Sequence, residues 1–106
     1  MDVLTGGCLC GAVRYQSGAP LSPATLCHCR SCRRASGAHA LGLVTVARDG
    51  LRFTADRPQE YRSSASVVRT FCPRCGTPLS YWHEEWPSDI SLTIGSLDRP
   101  ESTPPR

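Results

Sequence analysis

The chain has 106 residues, 40% of them apolar, with no apolar run of membrane-spanning length and a formal charge of +3. A chain this short makes one domain, and its core alone gives a thin stability margin. A charge this small is a weak argument for a nucleic-acid partner.

The chain begins Met1-Asp2-Val3-Leu4-Thr5, without the basic region and apolar stretch of a signal peptide. A cytoplasmic location is expected, where thiols stay reduced. Ala12–Gln16 alternates around β-branched Val13 and reads as a strand after a Gly6–Gly11 turn. Ala24–Cys27 is a short extended stretch, and Ser31–Ser36 predicts one or two helical turns stopped by Gly37. Leu41–Val46 is the clearest strand, with Leu41, Leu43 and Thr45 on one face and Gly42, Val44 and Val46 on the other. Asp49-Gly50 is a turn, and Leu51–Thr54, Glu60–Arg62, Val67–Phe71, Leu79–His83 and Ile90–Ile94 follow as strands. From Ser96 the chain is polar and carries Pro100, Pro104 and Pro105. Residues 1–97 therefore read as a mainly β domain and 98–106 as a polar, Pro-rich tail.

Cysteine is where chemistry enters. Seven is an odd number, poorly suited to a disulfide framework, and clustered cysteines in a reducing compartment point to metal. Cys8-Leu9-Cys10 and Cys72-Pro73-Arg74-Cys75 supply two ligands each, and Cys27-His28-Cys29-Arg30-Ser31-Cys32 supplies three. Structural zinc takes four tetrahedral ligands, catalytic zinc often only three from protein. The partition that strands no half-site puts Cys8, Cys10, Cys72 and Cys75 on one zinc and Cys27, Cys29 and Cys32 on another. The first ion would tie the N-terminal segment to a knuckle about sixty residues later. Structural zinc contributes about 10–16 kcal/mol of apparent folding energy, which offsets a small core. Gly11 and Gly76 each follow the last cysteine of a pair, where a tight knuckle needs positive φ. A redox C-x-x-C would need a βαβ context, and the spacings match no ferredoxin pattern. Spacing alone leaves the second site as either a closed Cys₃His centre, completed by His39 or His83, or an open three-cysteine centre; His28 lies between two ligands and should point away.

The runs Gly6-Gly7-Cys8-Leu9-Cys10-Gly11-Ala12-Val13-Arg14-Tyr15, Cys27-His28-Cys29-Arg30-Ser31-Cys32-Arg33-Arg34-Ala35-Ser36-Gly37-Ala38 and Phe71-Cys72-Pro73-Arg74-Cys75-Gly76-Thr77-Pro78-Leu79 occur in this order. With them the chain resembles the glutathione-dependent formaldehyde-activating enzyme family, whose domain also occurs in a vertebrate centromere protein. The resemblance spans residue 6 to about residue 97. It implies a β-tent fold of short antiparallel sheets with two zinc ions per chain, Cys8, Cys10, Cys72 and Cys75 as structural ligands, and Cys27, Cys29 and Cys32 as ligands of an open second zinc. Family members run on past a segment like Ser96–Arg106 into a final strand, which this chain is expected to lack.

The activity implied is that of a carbon–sulfur lyase, the addition of a small thiol such as glutathione to an aldehyde such as formaldehyde. Zinc stabilises a bound thiolate, and three thiolate donors suit thiol delivery better than water activation. Glutathione carries two carboxylates, for which Arg30, Arg33 and Arg34 beside the second site are the candidate partners. Tyr81, Trp82 and Trp86 are candidate pocket walls, although aromatics at strand spacing more often belong to a core. The competing class is a non-catalytic zinc-stapled module presenting a surface to protein or nucleic acid. A thiol-redox or zinc-storage role is a third. Membrane partners are not expected.

Overall fold

The computed structural model describes residues 3–105. It holds nine strands, one α-helix and three 3₁₀ turns among those residues. Strands β1 (Leu4–Gly7), β2 (Arg14–Ser17) and β5 (Arg52–Phe53) form a small antiparallel sheet in the order β1-β2-β5. Strands β3 (Thr25–Cys27), β4 (Leu41–Ala47), β6 (Gln59–Arg62), β7 (Val67–Phe71), β8 (Pro78–His83) and β9 (Asp89–Thr93) form a larger one, ordered β3-β4-β9-β8-β7-β6. Its pairs are antiparallel throughout. The mainly β fold of antiparallel sheets with one short helix agrees with the sequence.

The alternation in β4 decides how the molecule is layered. Val44 and Val46 are fully buried and join Val13, Tyr15, Leu79 and Leu92 in one core drawn from both sheets. Leu41 and Leu43, on the other face of β4, line a cavity beneath helix α1 (Arg30–Ser36). The large sheet therefore has a packed core on one side and a ligand-sized space on the other. Burying each such Val or Leu stabilises the fold by roughly 1.5–3 kcal/mol. Helix α1 stops where expected, with Gly37 at φ 74° bonding back to the Arg33 carbonyl.

Strand β1 was not evident in the sequence, because Gly6 and Gly7 read as a turn. Tertiary packing accounts for it. Gly6 pairs with Tyr15, and a Cβ there would lie 2.5 Å from the Ser96 carbonyl oxygen and 2.6 Å from Tyr15 Cζ. Only glycine lets β1 lie so close to its neighbours.

The residues after Ile94 fold back onto this small sheet. A 3₁₀ turn at Ile94–Ser96 leads to a bridge between Leu97 and Gly6, and Thr103 is buried. The buried Tyr15 hydroxyl is bonded to Ser96 Oγ at 2.6 Å, and Ser96 donates in turn to the Thr93 carbonyl at 2.9 Å. Burial pushes the Tyr15 hydroxyl up to about 12, so it remains a neutral bonding partner. Asp98 accepts from Arg14 Nη1 at 2.9 Å and from Thr5 Oγ1 at 2.8 Å, and these partners hold its carboxyl below the usual carboxylate range.

A folded pKa below the unfolded value means a stabilisation that is present above about pH 4 and fades as pH falls through the lower folded value. The Arg14–Asp98 pair is about 40% exposed, so screening keeps its worth under about 1 kcal/mol. Asp98→Asn is expected to lower the melting temperature by a few degrees at pH 7. The difference between variant and parent should shrink in melts at high salt, which screens the exposed pair.

Candidate metal centres

Four cysteine sulfurs, those of Cys8, Cys10, Cys72 and Cys75, lie within 4.8 Å of one another, and so do the three of Cys27, Cys29 and Cys32. All seven cysteines are free. The Sγ–Sγ separations are 3.6 Å for Cys8–Cys10, 3.7 Å for Cys10–Cys72 and 3.4 Å for Cys27–Cys29. Sulfurs at about 2.3 Å from a tetrahedral ion stand about 3.8 Å apart, whereas disulfide sulfurs are at about 2.0 Å. The four-sulfur cluster matches the metal spacing, and both groups could hold an ion.

Two knuckles of the same design build the first cluster. Gly11 donates to the Cys8 carbonyl at 3.2 Å and Gly76 to the Cys72 carbonyl at 2.9 Å, and both glycines have φ of 82°. Backbone N–H groups then aim at sulfur, Val13 at Cys8 Sγ (3.2 Å) and Arg74 and Cys75 at Cys72 Sγ (3.3 and 3.4 Å). Such donors favour thiolate over thiol. Thr77 joins the knuckles, its Oγ1 accepting from the Leu9 N–H at 3.1 Å and lying 3.2 Å from Cys75 Sγ. The Thr77 hydroxyl and N–H bring the Cys75 thiol down to about 5.

The second cluster is local. Cys27 ends β3, Cys29 caps α1, and Cys32 is buried in its first turn. Cys29 Sγ accepts from the Cys32 N–H at 3.3 Å, which brings its thiol to about 7, while burial pushes Cys32 up to about 12. Among the described residues, no histidine or carboxylate joins the three sulfurs. His28 and His39 meet edge to face, with ring centroids 6.5 Å apart. His83 packs against Trp86 and accepts from the Glu85 N–H at 3.1 Å through Nδ1. The Cys₃His alternative has no support in this arrangement.

The cavity under α1 has a volume of about 760 Å³, within the range of small-molecule sites. Arg30 and Arg34 stand in its wall; Arg33 does not, and donates from Nε to the His28 carbonyl at 3.2 Å instead. Tyr81 lines the cavity. Trp82 packs on the core with Arg48 over its ring at 4.5 Å, and Trp86 is exposed. A third cavity arginine, Arg69 on β7, escaped the sequence reading. Its only signal was a charged residue inside the apolar run Val67-Val68-Arg69-Thr70-Phe71.

The profile of the family described as glutathione-dependent formaldehyde-activating enzyme matches residues 3–106. The chain belongs to that family. A Halomonas elongata protein, provisionally named a glutathione-dependent formaldehyde-activating enzyme, is 28% identical over 111 residues, covering 97% of this chain and 71% of the relative. The crystal structure of a Rhodobacter sphaeroides protein superposes with a TM-score of 0.73 at 25% identity, covering 89% of this chain and 87% of that one. The family match takes in all seven cysteines and the segment after Ile94. No helix of the described residues is long and apolar enough to cross a membrane.

Proposed function

We propose that the chain binds two zinc ions and uses the second to bring a small thiol, glutathione or a close analogue, to an aldehyde such as formaldehyde. The observation that carries this reading is the three-sulfur cluster at the start of helix α1, joined by no fourth donor among the described residues, on the same helix whose Arg30 and Arg34 line the cavity. Sulfur-only donors at tetrahedral spacing suit zinc. Cys8, Cys10, Cys72 and Cys75 would hold the structural ion, and Cys27, Cys29 and Cys32 the other. When bound there, zinc favours the thiolate form of an incoming thiol.

The protein's own part is positioning. Arg30 and Arg34 present guanidinium groups to the carboxylates of a glutathione-like ligand, and Leu41, Leu43 and Tyr81 give its backbone an apolar wall. In the addition, the sulfur forms a bond to the carbonyl carbon, the C=O π bond breaks, and the thiol's proton ends on the oxygen. The product is a hemithioacetal. A reducing compartment such as the cytoplasm, where thiols stay unoxidised, suits this chemistry.

Titration calorimetry with glutathione tests the reading. The intact protein should bind, and Cys29→Ser, which removes one ligand of the second ion, should not. Arg34→Glu should weaken binding by about threefold to tenfold, less at high salt, since the contact is near the surface. Binding undiminished in Cys29→Ser would remove the metal from the thiol's anchor. No binding to the intact protein would favour the non-catalytic module.

A further inference from the structure

Arg69 is a buried cation, 8% exposed, in the middle of β7. Among the described residues the ion pairs are Arg14–Asp98 and Arg99–Glu101, so no carboxylate balances it. Its guanidinium lies over the Tyr81 ring at 4.9 Å, Nε donates to Ser63 Oγ at 3.3 Å, and Nη2 donates to Cys32 Sγ at 3.7 Å. An arginine stays protonated in proteins, and burying a charge without compensation is costly. A hydroxyl and a ring face supply only part of that compensation.

The arithmetic of the neighbouring cluster supplies the rest. Three thiolates around a divalent ion carry a net charge of −1, which one guanidinium cancels. We propose that Arg69 is the fixed counter-charge of the three-sulfur metal centre, a positioning residue that holds Cys32 as a ligand and lets a negatively charged metal–thiolate group exist at the edge of the cavity. The proposal rests on the reading that Cys27, Cys29 and Cys32 hold a metal. It goes beyond that reading by assigning the centre an outer partner from a distant strand, 37 residues along the chain. Among the described residues the four-sulfur centre has no such arginine at its sulfurs; there the donors to sulfur are backbone N–H groups and Thr77. Outer partners of metal ligands typically change metal affinity by about 10–100-fold when removed.

The test is metal affinity at each centre, measured by chelator competition with Co²⁺ and Zn²⁺ on the full chain, together with the sulfur-to-cobalt charge-transfer band. Arg69→Gln should weaken the three-sulfur centre by about 10–100-fold and shift its band, with the four-sulfur centre unchanged. Arg69→Lys keeps the charge but loses the planar fork over Tyr81, so it should weaken the three-sulfur centre less than Arg69→Gln does. Equal affinity in Arg69→Gln, or equal weakening of both centres, would overturn the assignment. Should Arg69→Gln fail to fold, Arg69→Lys decides alone, since equal weakening of both centres would overturn the assignment. No thiol is present, so the result is independent of whether the parent binds glutathione. A parent chain with no metal at these three cysteines would fail the earlier reading instead.

Discussion

Cys72→Ser is expected to yield an unfolded or aggregating chain, whereas Cys29→Ser should yield a folded one that has lost one metal. The contrast follows from what each cluster spans. Cys10 and Cys72 are 62 residues apart, so the four-sulfur centre joins the hairpin of β1 and β2 to the knuckle between β7 and β8. Metal binding there would supply about 10–16 kcal/mol of apparent folding energy, as large as the whole stability of a typical domain at about 5–15 kcal/mol. The three-sulfur centre falls within the six-residue run Cys27–Cys32 and organises one end of a short helix. Circular dichroism and elemental analysis of the two variants beside the parent, which should carry two zinc ions, would read this out. Loss of fold in both variants would make both centres structural and end the functional assignment of the second.

Gly6→Ala should also be destabilising, although it adds only a single methyl group. The new Cβ would meet the Ser96 carbonyl and the Tyr15 ring, and neither is a flexible side-chain end. Tyr15 is fully buried and tied to Ser96, so relief requires moving β1 away from β2 or breaking the Tyr15–Ser96–Thr93 chain of bonds. Overpacking of this kind costs about 1–3 kcal/mol, and breaking the bonds would leave buried polar groups unsatisfied at a further 1–3 kcal/mol or so. Because β1 feeds directly into Cys8, the same shift should loosen the first metal centre. Thermal melts with and without a chelator would measure it. A melting temperature within about 2 °C of the parent would show that β1 has room the packing does not reveal.

The division of the cysteines into a four-sulfur and a three-sulfur cluster was legible in the sequence because ligand spacing is local, so seven cysteines in three short motifs divide in one sensible way. The knuckle glycines were legible for the same reason: a turn of that tightness needs positive φ, and Gly11 and Gly76 have it. The core side of β4 followed from its alternation. What stayed hidden depends on contacts distant in sequence. Gly6 and Gly7 look like a turn until Tyr15 and Ser96 are placed against them. Arg33 looks as near to the second centre as Arg34, but helix geometry turns it toward the His28 carbonyl and away from the cavity. Arg69 could be tied to Cys32 only once β7 and α1 were brought together. The polar residues after Ser96 looked like a tail, although Leu97, Asp98 and Thr103 are held by the small sheet or buried.

The two borders of the larger sheet bear on how the protein behaves at high concentration. An unpaired strand offers its backbone donors and acceptors to any other chain, and long, flat, apolar borders invite fibrous association. Here β3 is three residues long and runs straight into the Cys27–Cys32 loop, leaving little ladder to extend. At the opposite border β6 is exposed at all four positions, and Glu60 and Arg62 stand on it as charges that a stacking copy would have to strip of water. With both borders protected in this way, the sheet can leave its cavity face open to small molecules without inviting a neighbour's strand to close it.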